Sequence, residues 1–356
     1  MSETAQREAT AFGRVQWFRE EWLARSAPEP ALAPELPVID THVHLWRSPS
    51  GERYFVEEYA KDVRDCGHDV AACVYVECGA MYRADGPVHL RPVGEVEFAV
   101  GQAAMAASGV YTSSRVAASI VGFADMMLGD RLDEVLDAEV HAGNGRLRGI
   151  RQRAKWDPDP AVRGKFCADG PGLYLEPEFH RGLQRLAARD LLFEASIFHP
   201  QLGDVAELAR KLPNLRIVLI HSGSPVGHSS YAGREQETHE AWRAGMAELA
   251  PCANVCVKLG GIAMTLAAFD YGKAAAPIAS EALAELWRPY IEPCVELFGP
   301  ERCMVSSNFP VDKVAFSYGT CWNMFKRIFA EYSDAERRAL FSGSASSIYG
   351  IAIETG

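Results

Sequence analysis

The stretch PVIDTHVHLW, residues 37–46, runs a short apolar segment into two histidines one residue apart. A brief β-branched run of this kind reads as a buried strand. Side chains alternate along a strand, so Asp40, His42 and His44 are expected to point the same way where it ends. Whether the imidazoles are a ligand pair or two incidental residues depends on what the other strand ends carry.

Seven further runs of the same character follow, at 72–77, 119–123, 147–151, 192–197, 216–220, 254–258 and 302–306, and the first occupies 38–40. Between them lie stretches with apolar residues every three or four positions, as in 130–142 (DRLDEVLDAEVHA), 178–189 (EFHRGLQRLAAR), 204–211 and 281–298. Alternation of strand and helix implies parallel strands joined by right-handed crossovers. Eight such units predict an α/β protein, a (β/α)8 barrel with long loops. A doubly wound open sheet is the competing fold. Against it, no G-x-G-x-x-G or G-x-x-x-x-G-K-[ST] follows any candidate strand. Ahead of the barrel, the pattern predicts a helix near 16–24 and a Pro/Ala linker, APEPALAPELP. The chain therefore divides into a helical and Pro-rich extension, 1–35, and a barrel domain, 36–356. The extension is assigned to packing or to a contact within a homo-oligomer.

Composition narrows the partners. With 356 residues, 48% of them hydrophobic, the chain can bury a large core. A formal charge of -11 disfavours nucleic acid and anionic membrane, leaving a small molecule as the expected ligand. The polar start, MSETAQREATAFGR, has no signal-peptide core and no run reaches membrane-span length, so a cytoplasmic protein is expected. The nine cysteines form no C-x-x-C pair and read as free thiols.

The strand ends repeat the opening theme. The fifth run continues into LLFEASIFHPQ, with His199 just past it, and the sixth into RIVLIHSGSP, with His221. Four of the ten histidines thus fall at three strand C-termini, the end of a barrel that borders its active site. The eighth run ends RCMVSSNFPVDK, placing Ser307 and Asn308 on the same rim. Neutral imidazoles gathered there suit zinc and related metals.

These residues carry a family resemblance. D-T-H-V-H-L-W on the first strand, R-G-I-R at 148–151, F-H-P-Q at 198–201, I-H-S-G at 220–223, the V-K-L-G-G run and S-N-F-P at 307–310 occur in order across about 36–350. The sequence resembles the amidohydrolase superfamily, in the branch of 2-pyrone-4,6-dicarboxylate lactonase and the sugar lactonases. The resemblance implies that His42, His44, His199 and His221 surround the reaction centre, with Asn308 where the family has an aspartate. An amide has no useful basicity and is a poor metal ligand. Asp312, Asp125 or Glu77 would then stand in as base. Members of the branch work with or without a divalent metal. Zinc or manganese on His42, His44, His199 and His221 is one expectation, and a metal-free site the other.

The implied chemistry is hydrolysis of a lactone or related ester. Histidines would polarise the carbonyl and a carboxylate would activate water. Arg151, helped by Arg153, has the planar fork to grip a substrate carboxylate, or it forms a salt bridge in the rim. Lys258 binds an anion or pairs with Glu77 or another buried carboxylate. Gln201 and Glu77 complete the expected substrate-binding set, and Trp46 and Tyr318 line the pocket or simply pack. Arg83, Arg91 and Arg234 in the long loops hint at an acidic substrate. Two other readings stand beside this one: a metal-dependent decarboxylase or hydratase of an aromatic or unsaturated acid, and a non-catalytic ligand-binding barrel.

Overall fold

Each of the eight runs forms a strand in the computed structural model, which describes residues 19–47, 52–163, 167–263, 265–266 and 274–353. The strands are β1 (Val38–Val43), β2 (Val70–Val76), β3 (Arg115–Gly122), β4 (Leu147–Arg153), β5 (Leu192–Ser196), β6 (Ile217–Leu219), β7 (Val255–Leu259) and β8 (Cys303–Val305). Neighbours pair in parallel and in chain order. The α-helices are α1 (Glu20–Leu23), α2 (Val56–Asp65), α3 (Val93–Ala107), α4 (Arg131–Ala142), α5 (Pro177–Ala187), α6 (Leu202–Lys211), α7 (Glu235–Leu249), α8 (Ser280–Phe298), α9 (Tyr318–Ile328), α10 (Asp334–Arg338) and α11 (Ser344–Tyr349). This is the (β/α)8 barrel that the alternation predicts.

Strand alternation sorts the apolar residues into two cores. Ile39, Val74, Val76, Val121, Leu192, Val218 and Met304 fill the barrel, while Val43, Tyr75, Ile120, Phe193, Ala195 and Val257 pack outward against the helices. The inner core continues into Ala345, Ile348 and Tyr349 of α11, which plug the end of the barrel away from the strand C-termini. Each buried Val, Leu or Ile contributes about 1.5–3 kcal/mol.

The seam between the first and last strands is closed largely by side chains. The backbones meet at one bridge outside the strands, Val43 with Phe309, where the His44 N–H donates to the Phe309 carbonyl at 2.8 Å. Thr41 Oγ1 donates to the Val305 carbonyl at 2.8 Å. The Asp40 carboxylate accepts from the Ser307 N–H at 2.9 Å, the Ser307 hydroxyl at 2.5 Å and the Tyr318 hydroxyl at 2.8 Å. Asp40 therefore faces the helix layer as a clasp, correcting the expectation that it points with the histidines. A register shift between Asp40 and Val43 breaks the simple alternation on which that expectation rested.

The extension docks against α8 and α9. Trp22 Nε1 donates to the Ala274 carbonyl at 2.9 Å, Ser280 N–H to Glu29 at 2.8 Å, Leu32 N–H to Asn323 at 2.9 Å and Lys326 to the Ala33 carbonyl at 2.6 Å. The first part of the helix expected at 16–24 lies outside the described residues. Among the described residues no helix is long and apolar enough to cross a membrane.

Candidate active site

β1 delivers His42 and His44 to the mouth, fully and almost fully buried. The partners of the two rings fix their tautomers. His44 Nδ1 lies 2.7 Å from the Val76 carbonyl, which can only accept, so the proton is on Nδ1 and Nε2 is bare. His42 Nε2 lies 3.2 Å from Arg151 Nη1, which can only donate, so His42 Nε2 is bare as well. The 3.2 Å approach of the two Nε2 atoms is thus two lone pairs facing each other, with a guanidinium beside them.

His221 joins from the end of β6, its ring 4.5 Å from that of His42. It sits in a left-handed backbone conformation (φ 54), followed by Ser222 (φ 50), and Asn308 past β8 does the same (φ 57). Such residues cost of order 1–3 kcal/mol each and cluster at functional sites. Room for His221 comes from the V-K-L-G-G run. Gly261 has φ +68, and a Cβ built there would lie 1.9 Å from His221 Nδ1. His199 stands apart. Its Nδ1 accepts weakly from the Val226 N–H at 3.4 Å and its ring meets the edge of Tyr231 at 5.3 Å, with no hydrogen bond or ring contact to His42, His44 or His221.

Burial holds all four imidazoles neutral. It pushes His199 down to about 4. His42, His44 and His221 are pushed well below the usual histidine range, first by burial and then by neighbouring charges that include Arg151 and Lys258.

The arginines expected to grip substrate are committed elsewhere. Arg151 Nε donates to Glu77 Oε1 at 2.7 Å and Nη2 to the Glu77 carbonyl, while Arg153 Nη2 donates to Glu77 Oε2 at 3.0 Å. Arg151 and Glu77 are both almost fully buried, so the pair is a fixed part of the wall, and Glu77 is not available as a base. Lys258 donates to Glu194 at 2.6 Å, and Tyr349 donates to the same oxygen at 2.5 Å, deep in the barrel. Gln201 spends its amide on backbone, accepting from Trp156 N–H at 2.9 Å and donating to the Ala154 carbonyl at 2.7 Å. Tyr318 bonds Asp40 in the helix layer instead of lining a pocket, whereas Trp46 stacks 5.9 Å from His44. In the loops, Arg83 pairs with Glu97 and Arg234 with Glu237 on the surface, and Arg91 donates to the Gly86 carbonyl.

Of the three carboxylates considered as base, Asp125 is bound by Gln152 at 2.9 Å and by the Met127 N–H at 3.0 Å. Asp312 differs. It is fully buried, its Oδ1 accepts from Asn308 Nδ2 at 2.9 Å, and its Oδ2 has no hydrogen-bond partner. Burial raises its pKa to about 7, against the opposing effects of the Asn308 amide, the Ala263 backbone N–H and the Lys155 charge. Lys155, which the sequence reading passed over, lies on the chain just past β4. It sits 5.3 Å over the Phe198 ring, and burial brings its ammonium down to about 7. Among the neighbouring charges, that of Lys155 acts most strongly on His221.

The amidohydrolase family model matches residues 39–351. The chain belongs to the amidohydrolase family. A Sinorhizobium fredii relative named only as an uncharacterized protein is 30% identical over 339 residues, covering 88% of this chain and 99% of its own. An L-fucono-1,5-lactonase of Burkholderia multivorans is 30% identical over 240 residues, covering 66% of this chain and 72% of its own. Among solved structures, a Burkholderia multivorans amidohydrolase with bound zinc superimposes with a TM-score of 0.68 at 23% identity, over 88% of this chain and 99% of that one.

For this amidohydrolase, the donor set does not fit a divalent ion. Among the described residues no three His, Cys, Asp or Glu side chains converge on one point. Asn308 offers an amide already turned to Asp312. An M²⁺ bound by the two bare Nε2 atoms would sit beside the Arg151 guanidinium. At about 4 Å and an effective dielectric of about 20, the repulsion is of order 8 kcal/mol.

Proposed function

We propose that this amidohydrolase opens the ring of a small lactone, of the polyhydroxy-acid type that its named relatives suggest. The observation that carries the reading is Asp312, a buried carboxyl poised near neutrality just past the last strand, with Asn308 and the Ala263 N–H as its neighbours and Oδ2 outside the Asn308 hydrogen bond. In its charged form Asp312 takes a proton from water as the water oxygen bonds to the lactone carbonyl carbon. The cationic wall of Arg151 and Lys155 stabilises the developing oxyanion. Collapse breaks the ring C–O bond, and the proton held by Asp312 passes to the departing alkoxide, leaving a hydroxy acid. His42, His44 and His221, neutral and fixed, shape the carbonyl site and can donate or accept single hydrogen bonds. With Arg151 and Arg153 committed to Glu77, a substrate without a carboxylate is favoured over an acidic one.

The test is proton release from a panel of five- and six-membered sugar lactones, read against Asp312→Asn and His42→Ala. Turnover of a lactone that both substitutions lower by about 10²-fold or more supports the assignment. No lactone turned over, with carbon dioxide released from an aromatic or unsaturated acid, would replace it with the decarboxylase reading.

A further inference from the structure

The family's metal position and the contents of this site disagree, and the disagreement has a specific cause. We infer that the Arg151 guanidinium, clamped by Glu77, is a built-in cation in the place where the facing lone pairs of His42 and His44 would otherwise take a metal. The inference concerns the resident charge and does not depend on which substrate is cleaved.

Three observations converge. The His42 and His44 Nε2 atoms approach to 3.2 Å, and with Nδ1 protonated in both rings, which leaves the His42 Nδ1 without a partner, their lone pairs face each other. The centre present is Arg151 Nη1, 3.2 Å from His42 Nε2. The guanidinium has no freedom to leave. Its Nε and Nη2 are held by the Glu77 side chain and carbonyl, and both side chains are buried to within a few per cent. Glu77 is itself held by Arg153, at 2.9 Å. Unlike a metal, this cation cannot be chelated away, has no open coordination position for water, and delivers its charge as fixed N–H directions.

The experiment is cobalt titration of the intact protein after chelator treatment, followed by visible absorption and by metal retained through gel filtration. Wild type is expected to retain essentially none and to show no d–d bands. Arg151→Met combined with Glu77→Gln, which removes cation and counter-ion together, is expected to retain measurably more cobalt than wild type, two imidazole donors being too few for a full equivalent, with absorption that His42→Ala abolishes. Arg151→Lys, which keeps the charge, is expected to stay empty. Should the double variant lack the wild-type circular dichroism, Arg151→Gln takes its place and is read by the same rule. Stoichiometric cobalt in wild type that depends on His42 overturns the inference, as does a folded Arg151 variant that remains as empty as wild type. Neither result bears on lactone turnover, so failure here is separable from failure of the proposed activity.

Discussion

Replacing Asp312 with Asn is predicted to make the protein more stable and, above pH 7, substantially so. The carboxyl is fully buried and its pKa is raised from 3.8 to about 7. Below about pH 4 both folded and unfolded chains hold this proton and the group costs nothing. Between about 4 and 7 the unfolded chain has lost the proton while the folded chain keeps it, so folding stability falls as pH rises. Above 7 the folded chain carries a buried carboxylate and the whole penalty is in place. About three units at 1.36 kcal/mol each gives a penalty of order 4 kcal/mol, an upper bound once water and relaxation share the charge. Asparagine fits the same space, and its carbonyl can accept from Asn308 Nδ2 as Oδ1 does now at 2.9 Å. Urea denaturation of wild type and variant from pH 4 to 8.5 should therefore show curves that meet near pH 4 and diverge to a gap of a few kcal/mol. A gap that is constant with pH, or a variant less stable at pH 8, would refute the placement of a raised carboxyl at this site. The same substitution removes the proposed base, so stability and activity are expected to move in opposite directions.

The free enzyme's kcat/KM for the proposed lactone is predicted to be bell-shaped, rising as Asp312 ionises and falling as the Lys155 ammonium loses its proton, both near about 7, and the rising limb should vanish from the residual rate of Asp312→Asn. Gly261→Ala would set a methyl 1.9 Å from His221 Nδ1 at φ +68, so kcat should drop at least about tenfold with a stability loss of about 1–3 kcal/mol, read by steady-state kinetics and thermal melting. Lys258→Met leaves Glu194 buried without its cation and should cost about 3–5 kcal/mol in denaturant unfolding, most of it recovered when Glu194→Gln is added. If the double variant is no more stable than the single one, the pair is not the source of the loss.

The fold was legible because its signal is periodic. All eight β-branched runs became strands, with ends shifted by a few residues, and 130–142, 178–189, 204–211 and 281–298 became α4, α5, α6 and α8. His42, His44 and His221, which the sequence places at strand ends, lie with neighbouring rings. What the sequence could not provide was pairing. Whether Arg151 holds a substrate or Glu77, and whether Lys258 meets Glu77 or Glu194, depends on neighbours on other strands that no local pattern specifies. Asp40 went astray because a register shift inside β1 is invisible to a period of two. His199 sits where strand position predicted, but its ring turns to Tyr231 and the Val226 N–H. Lys155 was missed because it follows the strand, where alternation no longer says which way a side chain points.

The clasp at the barrel seam also sets when this protein can begin to work. A nascent chain that has left the ribosome as far as β7 already carries His42, His44, Arg151 and His221, yet it lacks Ser307, Asn308 and Asp312. Thr41 and Val305, which bond across the seam, are separated by 264 positions. The proposed base and the imidazoles are thus brought to one rim only by the final strand of the barrel, late in translation. A product cut short before β8 is expected to be inert however well its first seven strands pair. Catalytic turnover consequently serves as a check on complete synthesis, and two complementary fragments should recover it only where their association restores the contacts of Asp40.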